Sequence, residues 1–135
     1  MLKDRSLHDK SLYEIGSTVV EAVIVIPAFM LLLLVACQAV LWAEASQTVQ
    51  AAAASGDQIA CEYGGSLSEG ISSAKVMLQS HSSGLVYGES VVGNLLPASM
   101  AEIKVSGVAE SIIPGMRFPV NAVRIGPQQR YRTSG

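Results

Sequence analysis

The chain has 135 residues, which leaves room for one modest domain. Half of the residues are hydrophobic, the mean hydropathy is +0.39, and 15% are charged, against about 25% in a typical soluble domain. The missing charge is concentrated in an uncharged run of 22 residues, Ala22 to Ala43. A helix of that length spans roughly 33 Å and matches a bilayer core of about 30 Å. The composition therefore argues against a simple soluble domain. The net charge of −2 gives no sign of the basic excess of a nucleic-acid-binding protein, so we expect no nucleic-acid partner.

The order of polar and apolar residues divides the chain into five predicted segments. They are a cytoplasmic leader (1–16), a transmembrane helix (17–42), a helical extension (43–63), a small extracytoplasmic α+β domain (64–125) and a flexible basic tail (126–135). The leader contains Lys3, Arg5 and Lys10, and the next Lys or Arg is Lys75. Because Lys and Arg concentrate on the cytoplasmic side of membrane helices, the chain is predicted to cross the membrane once, with its N-terminus in the cytoplasm.

Two residues modify the apolar segment. Pro27 removes one helical hydrogen bond and predicts a kink, and Trp42 lies where an interfacial aromatic side chain is expected. Segment 43–63 contains seven alanines and no proline, so the helix is predicted to continue, although Gly56 weakens it by about 1 kcal/mol relative to alanine. The apolar residues of this extension form one predicted stripe: Val49, Ala52, Ala53, Ile59 and Tyr63.

The remaining residues predict a small α+β domain. After the break at Gly64-Gly65, Ser66 and Glu69 have the spacing of a capping box and begin a predicted helix over 66–81. Alternation of apolar and polar side chains predicts strands at 101–109 and 118–122, joined through the turn dipeptide Pro114-Gly115. A further short strand is predicted at 85–92. The expected architecture is α+β, with a long N-terminal helix, a second helix, and a β-hairpin or small antiparallel sheet.

No arrangement of residues indicates catalysis, a metal site or a cofactor. Cys37 and Cys61 would lie roughly 36 Å apart along a continuous helix, too far for a disulfide. His8 and His81 lack the spacing of a metal pair, and no nucleophile elbow or phosphate loop is present. We therefore predict a protein that is not an enzyme.

One constellation stands out at the start of the apolar segment. Gly16 and Ser17 precede it, and Glu21 lies inside it. A carboxylate in an apolar helix is costly and needs compensation. One interpretation places Glu21 at the membrane interface, near the positive N-terminal end of the helix. The other has cleavage after Gly16 free the ammonium of Ser17, which then pairs with Glu21 of a neighbouring subunit.

This pattern resembles type IV prepilins, and the sequence GSTVVEAVIVIPAFMLLLL is similar to the N-terminal region of TadE-like proteins of the tight-adherence (Tad) pilus and secretion system. The residues that carry the resemblance are Gly16, Ser17, Val20, Glu21, Pro27 and Leu31 to Leu34. The C-terminal VSGVAESIIPGMRFPVNAVRIGPQQRYR resembles the extracytoplasmic end of actinobacterial TadE-like proteins.

The resemblance implies a non-enzymatic pseudopilin in the cell membrane or in a pilus. A prepilin peptidase would cut after Gly16, and Glu21 would guide assembly with other pilin subunits at a pilus assembly platform. Major pilins of this system carry an aromatic residue after the glutamate, so Ala22 favours a minor subunit.

Two other processing schemes stay open on the sequence alone. The residues from Leu34 to Cys37 fit a lipobox, which would make the chain a lipid-anchored surface lipoprotein beginning at Cys37. Alternatively, cleavage after the Ala43-Glu44-Ala45 site would release a secreted domain, although the apolar run exceeds the 7–15 residues, roughly, of a signal-peptide core.

Overall fold

The computed structural model describes residues 2–82 and 84–129, with side chains from Val19 onward. The described residues form α1 (Leu2–Cys61), α2 (Leu67–His81), β1 (Val86–Leu96), β2 (Met100–Ala109) and β3 (Phe118–Pro127). This layout confirms the predicted α+β class. The chain divides into two compact units, Met1–Cys37 and Gln38–Gly135, so the boundary falls within α1.

The first unit exposes apolar side chains on every side of its helix. Large hydrophobic residues from Val19 to Val35 are between 36% and 68% exposed, the extremes being Leu34 and Ile24. A helix that is apolar all round suits a lipid environment, because in water it would leave this whole surface unburied. Among the described residues, one helix is long and apolar enough to cross a membrane, with a mean hydropathy of 2.8 over its best 18-residue window.

The second unit buries the other part of α1 through small side chains. Ala45, Val49, Ala52, Ala53 and Ala60 are completely buried, and with the buried Gly56 they recur about every turn of the helix, which places them on one face. The predicted stripe is therefore correct for its valine and alanine positions. It is wrong for Tyr63, which is 71% exposed because α1 ends two residues earlier, at Cys61.

The second helix packs closely against α1 where two glycines meet. A Cβ atom added to Gly56 would lie 2.8 Å from the carbonyl oxygen of Gly70, and one added to Gly70 would lie 2.7 Å from the Cβ of Ala60. Gly56 thus permits the close approach of the two helices, a role that helix propensity does not indicate. At the start of α2, the Ser66 Oγ accepts from the Glu69 backbone N–H (3.3 Å) and a Glu69 carboxylate oxygen accepts from the Ser66 N–H (2.9 Å), which is the predicted capping box.

The three strands form one antiparallel sheet in the order β1-β2-β3. One face of β2 is buried, as its alternation predicts, with Ala101, Ile103 and Val105 fully enclosed. Strand β1 extends four residues beyond the predicted 85–92, through Gly93 and Asn94. Gly93 allows this extension, because a Cβ atom there would lie 2.9 Å from the side chains of both Leu67 and Ile71 on α2.

Strand β3 is also longer than predicted and continues into the segment expected to be a flexible tail. It ends at Pro127 and buries Gly126. Beyond it, the Gln128 backbone N–H donates to the Ser99 carbonyl (2.8 Å), and the Gln129 N–H donates to the Cys61 carbonyl (3.2 Å). The first bond joins the chain to the turn between β1 and β2, and the second joins it to the end of α1. The basic residues on which the tail prediction rested, Arg130 and Arg132, lie outside the described residues.

Candidate assembly and membrane segment

The predicted processing site lies within α1. Both Gly16 and Ser17 have helical backbone, and both precede Val19, the first residue whose side chain the structure describes. A helical peptide unit has its N–H and C=O groups engaged in the hydrogen-bond ladder, so a protease would have to unwind this turn before cutting the bond. Glu21 lies four residues after Ser17, which places the two residues on the same face of the helix.

Glu21 is exposed among apolar side chains. Val19, Val20 and Val23, its neighbours in sequence, are 57%, 62% and 66% exposed. In a membrane these side chains would face lipid or another apolar helix. An ionised carboxylate at the centre of a bilayer costs about 3 kcal/mol on insertion scales and less near the interface. A cationic partner would lower that cost.

Pro27 lies inside α1 and is exposed. The secondary structure is helical on both sides of it, and the missing N–H removes one bond from the ladder. The predicted kink at this residue stays a prediction.

The two cysteines lie in different environments. Both are free; Cys37 is exposed, and Cys61 is partly buried, with its Sγ 3.5 Å from the Oδ1 of Asp57. Burial, and then the hydrogen bond and the charge of Asp57, raise the pKa of the Cys61 thiol and keep it in its less reactive protonated form. Within the described part of the chain, no group of three or more His, Cys, Asp or Glu residues is placed to hold a metal ion.

The structure also reveals a polar contact that the sequence analysis missed. Gln38 is only 4% exposed, although it lies in the uncharged run. Its Nε2 donates to the backbone carbonyl of Glu110 (3.1 Å), and its Oε1 accepts from the backbone N–H of Ile112 (2.8 Å). The side-chain amide of Gln38 therefore bonds α1 to the loop between β2 and β3. A lone glutamine among apolar residues was the available signal, since a buried amide needs partners for its donor and its acceptor.

Comparison with known proteins gives one match. Residues 16–56 match the family model described as TadE-like protein, and they make up less than a third of the chain. No curated protein and no solved structure matches the sequence. The matched range begins at Gly16 and includes Glu21, Pro27 and Cys37. The match confirms the resemblance predicted from the N-terminal motif, and it identifies residues 16–56 as a TadE-like segment.

Proposed function

We propose that this chain is a minor pilin, or pseudopilin, of a Tad-type type IV pilus or secretion system. The observation that carries the proposal is the TadE-like match from Gly16 to Gly56, over a helix whose first part exposes apolar side chains all round. The family is a structural one associated with pili, which favours a role in assembly with other subunits. Catalysis plays no part in the proposed role.

The proposed orientation is N-terminus in the cytoplasm and second unit outside the membrane. Its support is the placement of Lys3, Arg5 and Lys10 before the apolar run, with Lys75 as the next Lys or Arg. The Ala22–Ala43 run would then span the bilayer once. The small domain built on the second part of α1 would be presented on the outer surface.

Processing by a prepilin peptidase after Gly16 would give Glu21 its partner. The new N-terminus would be the ammonium of Ser17, one helical turn from the carboxylate of Glu21. Because both groups lie on one face, two parallel subunits staggered by about one turn, or 5.4 Å, could place the ammonium of one opposite the carboxylate of the other. Such a pair would favour one register during filament assembly at the platform.

Small residues supply further support for helix association in this segment. Ala36 and Ala39 are exposed, and Ala43 is half-buried. Small side chains allow membrane helices to approach closely, and packing of this kind is a main source of association in lipid, where the hydrophobic effect is absent. We expect these positions to contact neighbouring pilin helices.

The test is to follow assembly after replacing Glu21→Gln, which removes the charge and nearly preserves the shape. The sheared surface-filament fraction and the membrane fraction of cells that express the complete system are compared for the subunit. We expect the variant to remain in the membrane and to decrease about ten-fold in the assembled fraction, as a lost pair of about 1.4 kcal/mol would give.

The matched control is Glu44→Gln, since Glu44 is an exposed glutamate on the same helix in the second unit. It should assemble like the unaltered chain. Equal incorporation of the Glu21→Gln variant and the control would contradict the role assigned to Glu21. Absence of both the unaltered chain and the control from every assembled fraction would contradict the pseudopilin proposal itself.

A further inference from the structure

The β2–β3 loop, residues 110–117, is fastened to α1 inside the uncharged run. The two hydrogen bonds of Gln38 hold the backbone of Glu110 and Ile112 at a helix position five residues before the end of that run at Ala43. At 1.5 Å per residue, this attachment lies about 7.5 Å inside the apolar stretch. With α1 inserted as proposed above, a loop held there would lie at the level where the helix leaves the bilayer.

The surface around this attachment is apolar. The loop exposes Ile112 (49%) and Met116 (55%). Trp42 follows Gln38 by four residues, so it lies on the same face of α1, and it is 46% exposed. Hydrogen bonds within the loop fix its shape: the Ile113 N–H donates to the Ser111 Oγ, and the Ser111 Oγ–H donates to the Ile113 carbonyl. The loop therefore presents its large apolar side chains from a defined backbone.

We propose that the β2–β3 loop contacts the lipid bilayer, with Ile112 and Met116 immersed in the interfacial region beside Trp42. This inference rests on the proposed membrane insertion of α1 and adds a second element to the membrane contact. The occupant of this apolar surface is the lipid itself. The uncharged run of α1 continues past Gln38 to Ala43, and Trp42 in this part of the run is the residue type enriched at membrane interfaces.

The charged residues near the loop limit how deep it goes. Glu44, Glu110 and Arg117 are all exposed and must stay in the hydrated headgroup layer. Arg117 adjoins Met116 and is suited to contact lipid phosphates, while the two carboxylates prevent entry into the hydrocarbon core. The predicted contact is therefore shallow, in the range of roughly 5–10 Å that apolar side chains reach at an interface.

The opposite end of the second unit supplies a matched control position. The loop follows the last residue of β2, whereas Tyr63 lies near the other end, where the Gln129 N–H bonds to the Cys61 carbonyl just beyond β3. The ten residues of β2 separate the two ends by roughly 30 Å. Tyr63 is itself a large side chain with 71% exposure, so a label there samples a site even more open than those at Ile112 and Met116, away from the proposed membrane surface.

The experiment places a single environment-sensitive fluorophore on the full-length chain in phosphatidylcholine vesicles. Cysteine is introduced by Ile112→Cys, Met116→Cys or Tyr63→Cys, after replacing Cys37→Ala and Cys61→Ala. Quenching by lipids with a doxyl group near the headgroup is compared with quenching by a water-soluble quencher. We expect shallow-lipid quenching at positions 112 and 116 to be at least about twice that at position 63, with a blue-shifted emission.

A fourth label, from Leu32→Cys, separates failure of this inference from failure of the proposed insertion. Strong quenching at position 32 by deep doxyl groups, with positions 112 and 116 no more quenched than position 63, would overturn the loop contact and leave the insertion intact. A blue shift at position 112 without lipid quenching would overturn it in favour of a protein contact. Absence of lipid quenching at position 32 would overturn both proposals.

Discussion

The two parts of α1 show how one helix can suit two different environments. In the first unit its side chains are large and aliphatic, and the residues from Val23 to Cys37 are all exposed. In the second unit its buried face consists of Gln38 followed by alanine, glycine and one valine, and it packs tightly against α2 and the sheet. Both parts are helical, although the valines, isoleucines and Pro27 of the first part have lower helix propensity than the alanines of the second. Helix propensity therefore does not explain which environment each part suits. The size and placement of the side chains distinguish the two parts. Large apolar side chains on all sides of a helix suit contact with lipid, whereas a narrow face of small residues suits close packing against protein.

The strongest test of this contrast is to introduce a valine in place of a small residue in each part. Gly56→Val should destabilise the second unit by about 3 kcal/mol, because even the Cβ atom would lie within 3.1 Å of Gly70, Ala74 and Ile103. Ala36→Val adds bulk to an exposed site in the first unit and should leave that stability unchanged. Urea unfolding of the detergent-solubilised chain, followed by labelling of Cys61 in a Cys37→Ala background, measures both. Equal unfolding midpoints for the two variants would refute the contrast.

A second comparison, with a smaller expected change in stability, sets a buried glutamine of α1 against an exposed one. Gln38→Leu should cost about 2 kcal/mol, because it leaves the Glu110 carbonyl and the Ile112 N–H without their side-chain partner. Gln58→Leu changes an exposed residue of the same helix and should shift stability by no more than about 0.5 kcal/mol.

Hydrogen exchange at the Ile112 amide is the specific measure of the Gln38 contact, since that N–H is one of the two groups released. We expect faster exchange in Gln38→Leu and unchanged exchange in Gln58→Leu. Unchanged protection in both would mean that the amide does not hold the loop.

The smallest expected effect concerns the Cys61 thiol. Burial and the nearby Asp57 raise its pKa, so the folded state favours the protonated thiol. Any stability from this group is present at low pH and is lost as the pH rises from the ordinary thiol pKa to the raised one. In a Cys37→Ala background, Asp57→Asn should lower the pH at which iodoacetamide reacts with Cys61. Because burial is the larger cause of the raised pKa, we expect the pKa of Cys61 in this variant to return only part of the way to the ordinary thiol value. A pH profile that moves upward would contradict the contribution assigned to Asp57.

Much of the fold could be predicted from local patterns. Three local patterns each predicted an element that the structure contains. They are the uncharged run, the capping box at Ser66 and Glu69, and the alternation along β2. The errors concern contacts between elements. Gly93 would usually weaken a strand, but here its missing side chain admits Leu67 and Ile71, and no local pattern reveals that tertiary contact.

In the candidate assembly and membrane segment, the motif could be predicted from the sequence but the contacts could not. Gly16, Glu21 and the leucine run were sufficient for the family resemblance, because that motif is contiguous in sequence. The contact of Gln38 with the β2–β3 loop joins residues 72 and 74 positions apart, and a single sequence gives no means of pairing them. The position of Glu21 in a filament depends on neighbouring subunits and is a property of the assembly.

The most direct test of the proposed function is the intact mass and N-terminal sequence of the mature protein from its native membrane. The pseudopilin account predicts a chain that begins at Ser17, with the leader 1–16 removed. A chain that begins at a lipidated Cys37 would contradict it and establish a surface lipoprotein. A chain that begins at Met1 would also contradict it, because Glu21 would then lack the ammonium partner on which the proposed assembly contact depends.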